Sequence, residues 1–201
     1  SKGNPDDTAG DVTINVNADL TATGAGGRAI LAQSEGATNG TIAITVAQGA
    51  TVATGVAGSE TVAIMDGSAN TITNAGVIRN GSTSGDDHVI RTDGAATLAV
   101  RNSGTIEGSV VSGPLPDGGA APINIDNLSG ATFGLGTSST LGTTGTFANS
   151  GTVSAGSVGV IAQADLGAAS FTQGTQGTLY VDFDVAGTND LIVLGSTATS
   201  L

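Results

Sequence analysis

The sequence predicts an all-β protein wound as a right-handed parallel β-helix of about seven irregular coils. Three observations lead there. A phrase of the form Asn-x-Gly-x-apolar recurs as "TNAGVIRNGS" (73–82), "RNSGTIEGSV" (101–110) and "ANSGTVSAGS" (148–157). Short runs upstream of each copy alternate apolar and polar residues, the period of a half-buried strand. The composition also suits a narrow core: 33 Gly, no Cys, no Trp and 2% aromatic residues among 201. A round core relies on large side chains. Here Val, Ile and Ala supply most of the apolar surface, enough to fill a space one or two side chains wide.

Taken in chain order, the expected strands are "DVTINV" with Val12, Ile14 and Val16, then "TIAITV" with Ile42, Ile44 and Val46, then "TIT" with Ile72. "TLAV" follows with Leu98 and Val100, "PINI" with Ile123 and Ile125, "TF" with Phe147 and "FTQ" with Phe171. Gly49, Gly76, Gly104, Gly130, Gly151 and Gly177 mark equivalent corners, in steps of 21 to 28 residues. No stretch carries a capped helical stripe; Gly and Thr are too frequent. A unit of roughly 25 residues holding two or three short strands cannot cover its apolar face alone, but a stack of such units can. Strands of successive coils then run parallel about 4.8 Å apart, and the rod is roughly 35 Å long.

The repeated phrase reads as the corner of that coil. Gly76, Gly104 and Gly151 are expected to adopt positive φ, which glycine does without a Cβ clash. Asn74, Asn102 and Asn149 can bond the backbone of the turn, and stacked on one another they can form an amide ladder. Ile78, Ile106 and Val153 then point inward. Five residues after each Asn come Arg79, Glu107 and Ser154, so Arg79 and Glu107 are expected to stack outward on adjacent coils as an exposed ion pair. The chain reads as one β-helical unit over residues 1–201, with protruding loops near 24–40, 79–94 and 112–122. Recognition on rigid scaffolds usually sits on such loops. The second of them makes Arg79, Asp86, Asp87, His88 and Arg91 the candidate interaction residues.

Charge excludes some functions. Lys+Arg number 5 against Asp+Glu 17, a formal net charge of −12. Such a surface repels nucleic-acid phosphates and anionic lipid. No apolar run is long enough to span a membrane. The low charge density and β-branched content argue against whole-chain disorder, and Gly lacks the every-third-residue period of collagen.

Catalytic motifs are missing. "GSTSG" (81–85) has Thr83 where a nucleophile elbow needs Ser, and no Walker loop or His-Glu-x-x-His occurs. The single histidine, His88, excludes a multi-histidine zinc site. Asp86, Asp87 and Asp93 offer calcium-type oxygens, but their spacing matches no known calcium loop, so no metal and no cofactor are expected. Arg79, Arg91 and Arg101 would have to share one face to serve a carbohydrate-cleaving cleft. "TAT" (21–23) and "TIT" (71–73) would have to share a face to form an ice-binding array, and they fall at different corners of the repeat.

The last stretch, "FTQGTQGTLYVDFDVAGTNDLIVLGSTATSL" (171–201), alternates Leu179, Val181, Phe183 and Val185 inward against Tyr180, Asp182 and Asp184 outward, then turns at "AGTND". It resembles the C-terminal coils of bacterial autotransporter passengers. The matching positions are Phe171, Gly177, Leu179, Val181, Asp182, Gly187, Asp190, Leu191, Val193, Gly195, Ala198 and Leu201, with Ile192 where a polar residue is usual. The resemblance implies display at the surface of a Gram-negative bacterium after export across its outer membrane. The expected role is a non-enzymatic adhesin or self-association module of the kind used in virulence and biofilms, with a host or bacterial surface component, or a second copy, as partner. It also implies a following folding segment and membrane barrel outside this sequence, so no direct membrane insertion by these residues is expected. An inert stalk and a carbohydrate-cleaving β-helix enzyme are the alternatives.

Overall fold

The computed structural model describes residues 7–56, 58–81, 88–94, 97–114, 119–137, 139–156, 161–167, 170–183, 187, 189–193 and the backbone of 198–200. Among these every element is a strand. The first coil holds β1 (Val12–Val16), β2 (Leu20–Ala22) and β3 (Arg28–Ser34); the second β4 (Ile42–Val46), β5 (Thr51–Thr54) and β6 (Glu60–Asp66); the third β7 (Asn70–Asn74), β8 (Val77–Asn80) and β9 (His88–Asp93). Then come β10 (Leu98–Asn102) and the long β11 (Thr105–Ser112), followed by β12 (Ile123–Asn127) and β13 (Thr132–Leu135). The last coils hold β14 (Thr146–Asn149), β15 (Thr152–Ala155), β16 (Gln163–Asp165), β17 (Ser170–Gln173), β18 (Thr178–Tyr180), β19 (Leu191–Val193) and β20 (Ala198–Ser200).

The stacking is that of a parallel β-helix. Eight strands form the first face in the order β1-β4-β7-β10-β12-β14-β17-β20. The second face runs β2-β5-β8-β11-β13-β15-β18, one strand from each of seven coils. On the third face β3, β6 and β9 pair in turn, and β9 pairs with the C-terminal half of β11; β16 and β19 continue separately. Strand β11 serves two faces because it bends at Gly108, whose φ of 129° only glycine tolerates well, and its register with β9 shifts between Ser109 and Val110.

Inward columns fill the shaft. On the first face Ile14, Ile44, Ile72, Val100, Ile125, Phe147 and Phe171 stack in register. On the second face Val52, Ile78, Ile106, Phe133 and Val153 do the same, and all five are fully buried. Toward the C-terminus the filling turns aromatic. Phe147 meets Phe133 edge-on at 5.1 Å and stacks on Phe171 at 5.6 Å, favoured ring geometries. One polar residue interrupts a column: Asn70 sits between Ile42 and Leu98. Its Nδ2 donates to the Asp66 carbonyl at 3.0 Å and braces a corner where Asp66 and Gly67 both have positive φ.

Two expectations need correction. Residues 24–40 and 79–94 are not simply protruding loops. They contain β3 and β9, which bury Ile30, Ala32, Val89 and Ile90 as the third wall of the shaft. In the stretch 112–122, Ser112 and Ala121 are buried and joined by a hydrogen bond, Pro114 and Ala120 form an antiparallel bridge, and 115–118 lie outside the described residues. In the tail, the alternation expected over 179–185 stops at Tyr180. Leu179 is in register with Val153 but 41% exposed, because β18 is the last strand of its face among the described residues. Phe183, expected to point inward, is 79% exposed and bridges back to Asn189 in a hairpin. Asp184 and Val185 lie outside the described residues. Asp190 closes the hairpin neck: its two carboxylate oxygens accept the Ala162 and Asp182 amides at 2.8 and 2.9 Å.

The first and second coils are stapled at the N-terminal end. Asp11 Oδ1 accepts both the Thr41 amide at 2.7 Å and the Thr41 hydroxyl at 2.9 Å. The amide bond, then the hydroxyl bond, hold the Asp11 carboxyl below its ordinary value of 3.8, against a small opposing effect of desolvation. A lowered folded-state value means the stabilisation is present above the ordinary value and is lost as pH falls through the lowered one. Asp11→Asn is therefore expected to flatten the acid limb of the stability profile below about pH 4, measured by thermal melts in a pH series.

Candidate functional site

The corner between the first and second faces gathers the residues that the repeated phrase singled out. Its length varies from two to four residues. After Asn74, Asn102 and Asn149 only two residues intervene before the next strand; after Val16 there are three, and after Val46, Asn127 and Gln173 four. In the short corner the following amide reaches the coil above directly. Val77 donates to Ala50, Thr105 to Gly76 and Thr152 to Ala131, at 2.8–2.9 Å. That approach leaves no room for a side chain. A Cβ on Gly151 would lie 2.5 Å from the carbonyl oxygens of Ala131 and Leu128; one on Gly76 would strike the Ala50 oxygen, and one on Gly104 the Gly76 oxygen.

Positive φ is not the reason for these glycines, contrary to expectation: Gly76, Gly104 and Gly151 do not adopt it. It occurs instead in two of the long corners, at Gly49 (84°) and Gly130 (81°), the third residues of turns closed by Ala50 to Ala47 and Ala131 to Leu128 hydrogen bonds. Gly at that position of a type II turn is the normal solution. The marker glycines are thus of two kinds, and in register Ala50 and Ala131, not Gly49 and Gly130, correspond to Gly76.

The asparagines do form a ladder, and it is continuous. Asn74 Nδ2 donates to Asn102 Oδ1, Asn102 to Asn127 and Asn127 to Asn149, each at 2.8 Å, and Asn149 donates to Gln173 Oε1 at 3.0 Å. Each Nδ2 has a second acceptor on the next coil: the carbonyls of Thr105, Thr132, Thr152 and Thr178 in turn. The oxygens of Asn74, Asn102 and Asn149 also accept the amides of Gly76, Gly104 and Gly151 at 3.1–3.2 Å. All four asparagines are buried, so no ligand reaches them. This column is a structural spine. Asn127 and Gln173 belong to it and were missed by the phrase search.

The charged candidates do not converge. Arg79 lies on the second face, Arg91 on the third and Arg101 on the first, so the shared face that a cleaving cleft would need among them is not formed. Arg79 and Glu107 are in register on adjacent coils, as expected, yet no ion pair joins them among the described residues. The third face carries the charge network instead. Glu60 accepts Arg28 through one oxygen and Arg91 through the other, the latter at 3.3 Å, and Arg91 turns back to Asp93 at 3.0 Å. The Asp93 hydrogen bond, then the charges of Asp93 and Glu60, raise the Arg91 value against partial burial. Asp93 is thus engaged, and Asp86 and Asp87 lie outside the described residues. Among those described, no group of three acidic or histidine side chains could hold a metal ion. His88 opens β9, half-buried, with its carbonyl accepting Asn80 Nδ2 at 3.3 Å. Because both arginines are at least one-third exposed, Glu60→Gln is expected to cost only about 1 kcal/mol and to cost less in high salt. Urea midpoints at two ionic strengths check this.

One concavity opens on the outer side of the second face, over the first three coils. Its volume is about 490 Å³, and Asp19, Thr21, Thr23, Thr51, Ala53 and Arg79 line it. The register explains the hollow. Asp19, Thr51 and Val77 form one outward column and Thr21, Ala53 and Arg79 the next, so the floor is small until Arg79. Gly55, Val56 and Gly81, where the chain leaves β5 and β8, form part of its rim. Asp19 is held by the Thr51 amide at 2.9 Å.

A scan against protein-family models, a search of curated proteins and a search of solved structures each found no match. The geometry offers an internal spine inaccessible to ligands, a mutually paired charge network on the third face, an eight-stranded first face and a polar groove on the second.

Proposed function

We propose that the chain is a surface-displayed β-helical rod of the autotransporter-passenger type, acting in adhesion or self-association at the exterior of a Gram-negative bacterium. The tail resemblance is one support. The observation that carries the reading is the first face of eight parallel strands, whose outward positions from β1 to β17 hold mainly short polar or small side chains. Thr45, Thr71, Thr73, Ala99 and Arg101 are exposed along three successive coils of it. Such a surface offers many shallow hydrogen-bonding contacts and no deep anchor. Useful adhesion then comes from multivalency, with individually weak sites adding through effective concentration.

Beads coated with the purified chain test this. They are expected to clump or to bind bacterial or epithelial cells. Lysines at Thr45, Thr73 and Ala99 are expected to weaken the effect without changing the melting temperature. Beads that neither clump nor bind would leave only the inert-stalk role.

A further inference from the structure

We propose that the groove on the second face is a binding site for a carboxylated sugar, with the carboxylate on Arg79 and the sugar hydroxyls on the surrounding threonines. The first support is the state of the arginine. The chain has only 5 basic residues, and on the third face Arg28 and Arg91 are consumed by Glu60 and Asp93. Arg79 is exposed and its guanidinium makes no hydrogen bond or ion pair among the described residues, although Glu107 is its register neighbour. An uncommitted guanidinium presents a planar fork of donors that matches a carboxylate in bidentate fashion.

The second support is the lining. Thr21 and Thr23 are exposed and Thr51 is half-exposed, all three bordering the groove with Arg79, and Asp19, also on the groove, has one carboxylate oxygen engaged by the Thr51 amide at 2.9 Å. Hydroxyls donate and accept, which fits the mixed donors and acceptors of a sugar ring. No aromatic side chain borders the groove, so recognition would work through polar contacts without ring stacking. The volume of about 490 Å³ falls in the range of small-ligand sites. The third support is the charge balance. With a net charge of −12 the rod repels densely sulfated or phosphorylated polymers, whereas an isolated carboxylate meets a local cation at smaller cost. Uronic acids and sialic acids share this chemistry. Binding at one groove is expected to be weak, with Kd around 1 mM.

As a ligand site the groove is independent of the adhesion reading; as the receptor contact of the rod it rests on that reading. The test uses the whole chain, ¹⁵N-labelled, titrated with trigalacturonate and with sialyllactose. Methyl-esterified trigalacturonate and lactose are the neutral controls. Saturable shifts are expected at the amides of Thr21, Thr51 and Ala53 and at Arg79 Nε with at least one acidic sugar. The neutral counterpart should bind at least fivefold more weakly. Which acid binds distinguishes a uronate from a sialate site. Arg79→Gln should lose at least fivefold in affinity with an unchanged melting temperature, whereas Arg28→Gln on the third face should bind normally. Equal binding of acid and neutral sugars, retention of binding by Arg79→Gln, or no saturable shift with either acid overturns the proposal. The bead assay reads separately, so either idea can fail while the other stands.

Discussion

Replacing Asn102 with leucine is expected to lower the stability of the folded chain by about 4 kcal/mol, seen as a reduced urea midpoint with an unchanged slope. Leucine keeps asparagine's branching at Cγ, with a larger volume, but makes none of its four bonds. The change strands the part-buried Gly104 amide and the buried Asn127 Oδ1, and deprives Asn74 Nδ2 and the Thr132 carbonyl of one partner each. A buried polar group left without a partner costs about 1–3 kcal/mol, more than the net gain of forming the bond. Asn74 retains the Thr105 carbonyl at 3.0 Å, so the damage is concentrated below the break. Amides polarise one another along a chain of this kind, which argues for a cost above that of a lone buried asparagine. Asn15→Leu, at an exposed outward position of β1, is the control and should stay within about 0.5 kcal/mol. A loss below about 1 kcal/mol at Asn102 would mean the corner re-pairs around the gap and the column is decoration.

What could be read from the sequence, and what could not, follows from how each element declares itself. The first face was legible because its inward residues are large and strictly alternate: Ile42 and Ile44, Leu98 and Val100, Ile123 and Ile125. The second face was legible through the residue two places after each corner glycine: Ile78, Ile106 and Val153. Asn127 was missed because its corner is the long form, with Leu128, Ser129, Gly130 and Ala131 in place of x-Gly. A signal upstream would have found it. Each ladder asparagine lies two residues after an inward apolar one: Ile72 before Asn74, Val100 before Asn102, Ile125 before Asn127 and Phe147 before Asn149.

The third face hid itself. "RAILAQS" puts Leu31 outward at 51% exposure, and "HVIRTD" buries Val89 and Ile90 in succession, so neither shows a clean period of two. Charged residues in or beside these strands, Arg28 and Glu35 for the first and Arg91 and Asp93 for the second, completed the appearance of a loop. The groove was illegible for a different reason. Thr21, Thr51 and Arg79 lie far apart in sequence and become neighbours only through the coil register, which corners of three, four and two residues shift unpredictably.

Gly104→Ala is expected to cost about 3 kcal/mol or more, and Gly130→Ala only about 1–2, although sequence inspection ranks the two glycines alike. Both replacements remove backbone freedom from the unfolded chain to the same degree, so that contribution cancels in the comparison. At Gly130 the penalty is conformational: φ is 81°, and a Cβ would meet nothing within 4 Å. At Gly104 the penalty is steric and comes from the neighbouring coil. A methyl group there overlaps the Gly76 carbonyl oxygen and lies 2.7 Å from the Ala75 carbonyl carbon. Neither atom is the end of a flexible side chain. Relief requires the coils to part, and parting lengthens the Thr105 to Gly76 bond at 2.9 Å and the Asn74 to Asn102 bond at 2.8 Å beside it. The steric and polar terms therefore share one displacement, and the Gly104→Ala, Asn102→Leu double variant should lose clearly less than the sum of the two single losses. Denaturant titration of the four proteins measures this. Strict additivity, or a larger loss at Gly130 than at Gly104, would return the repeated glycine to the role of a simple turn residue and remove the physical link between the repeated phrase and the stacking of the rod.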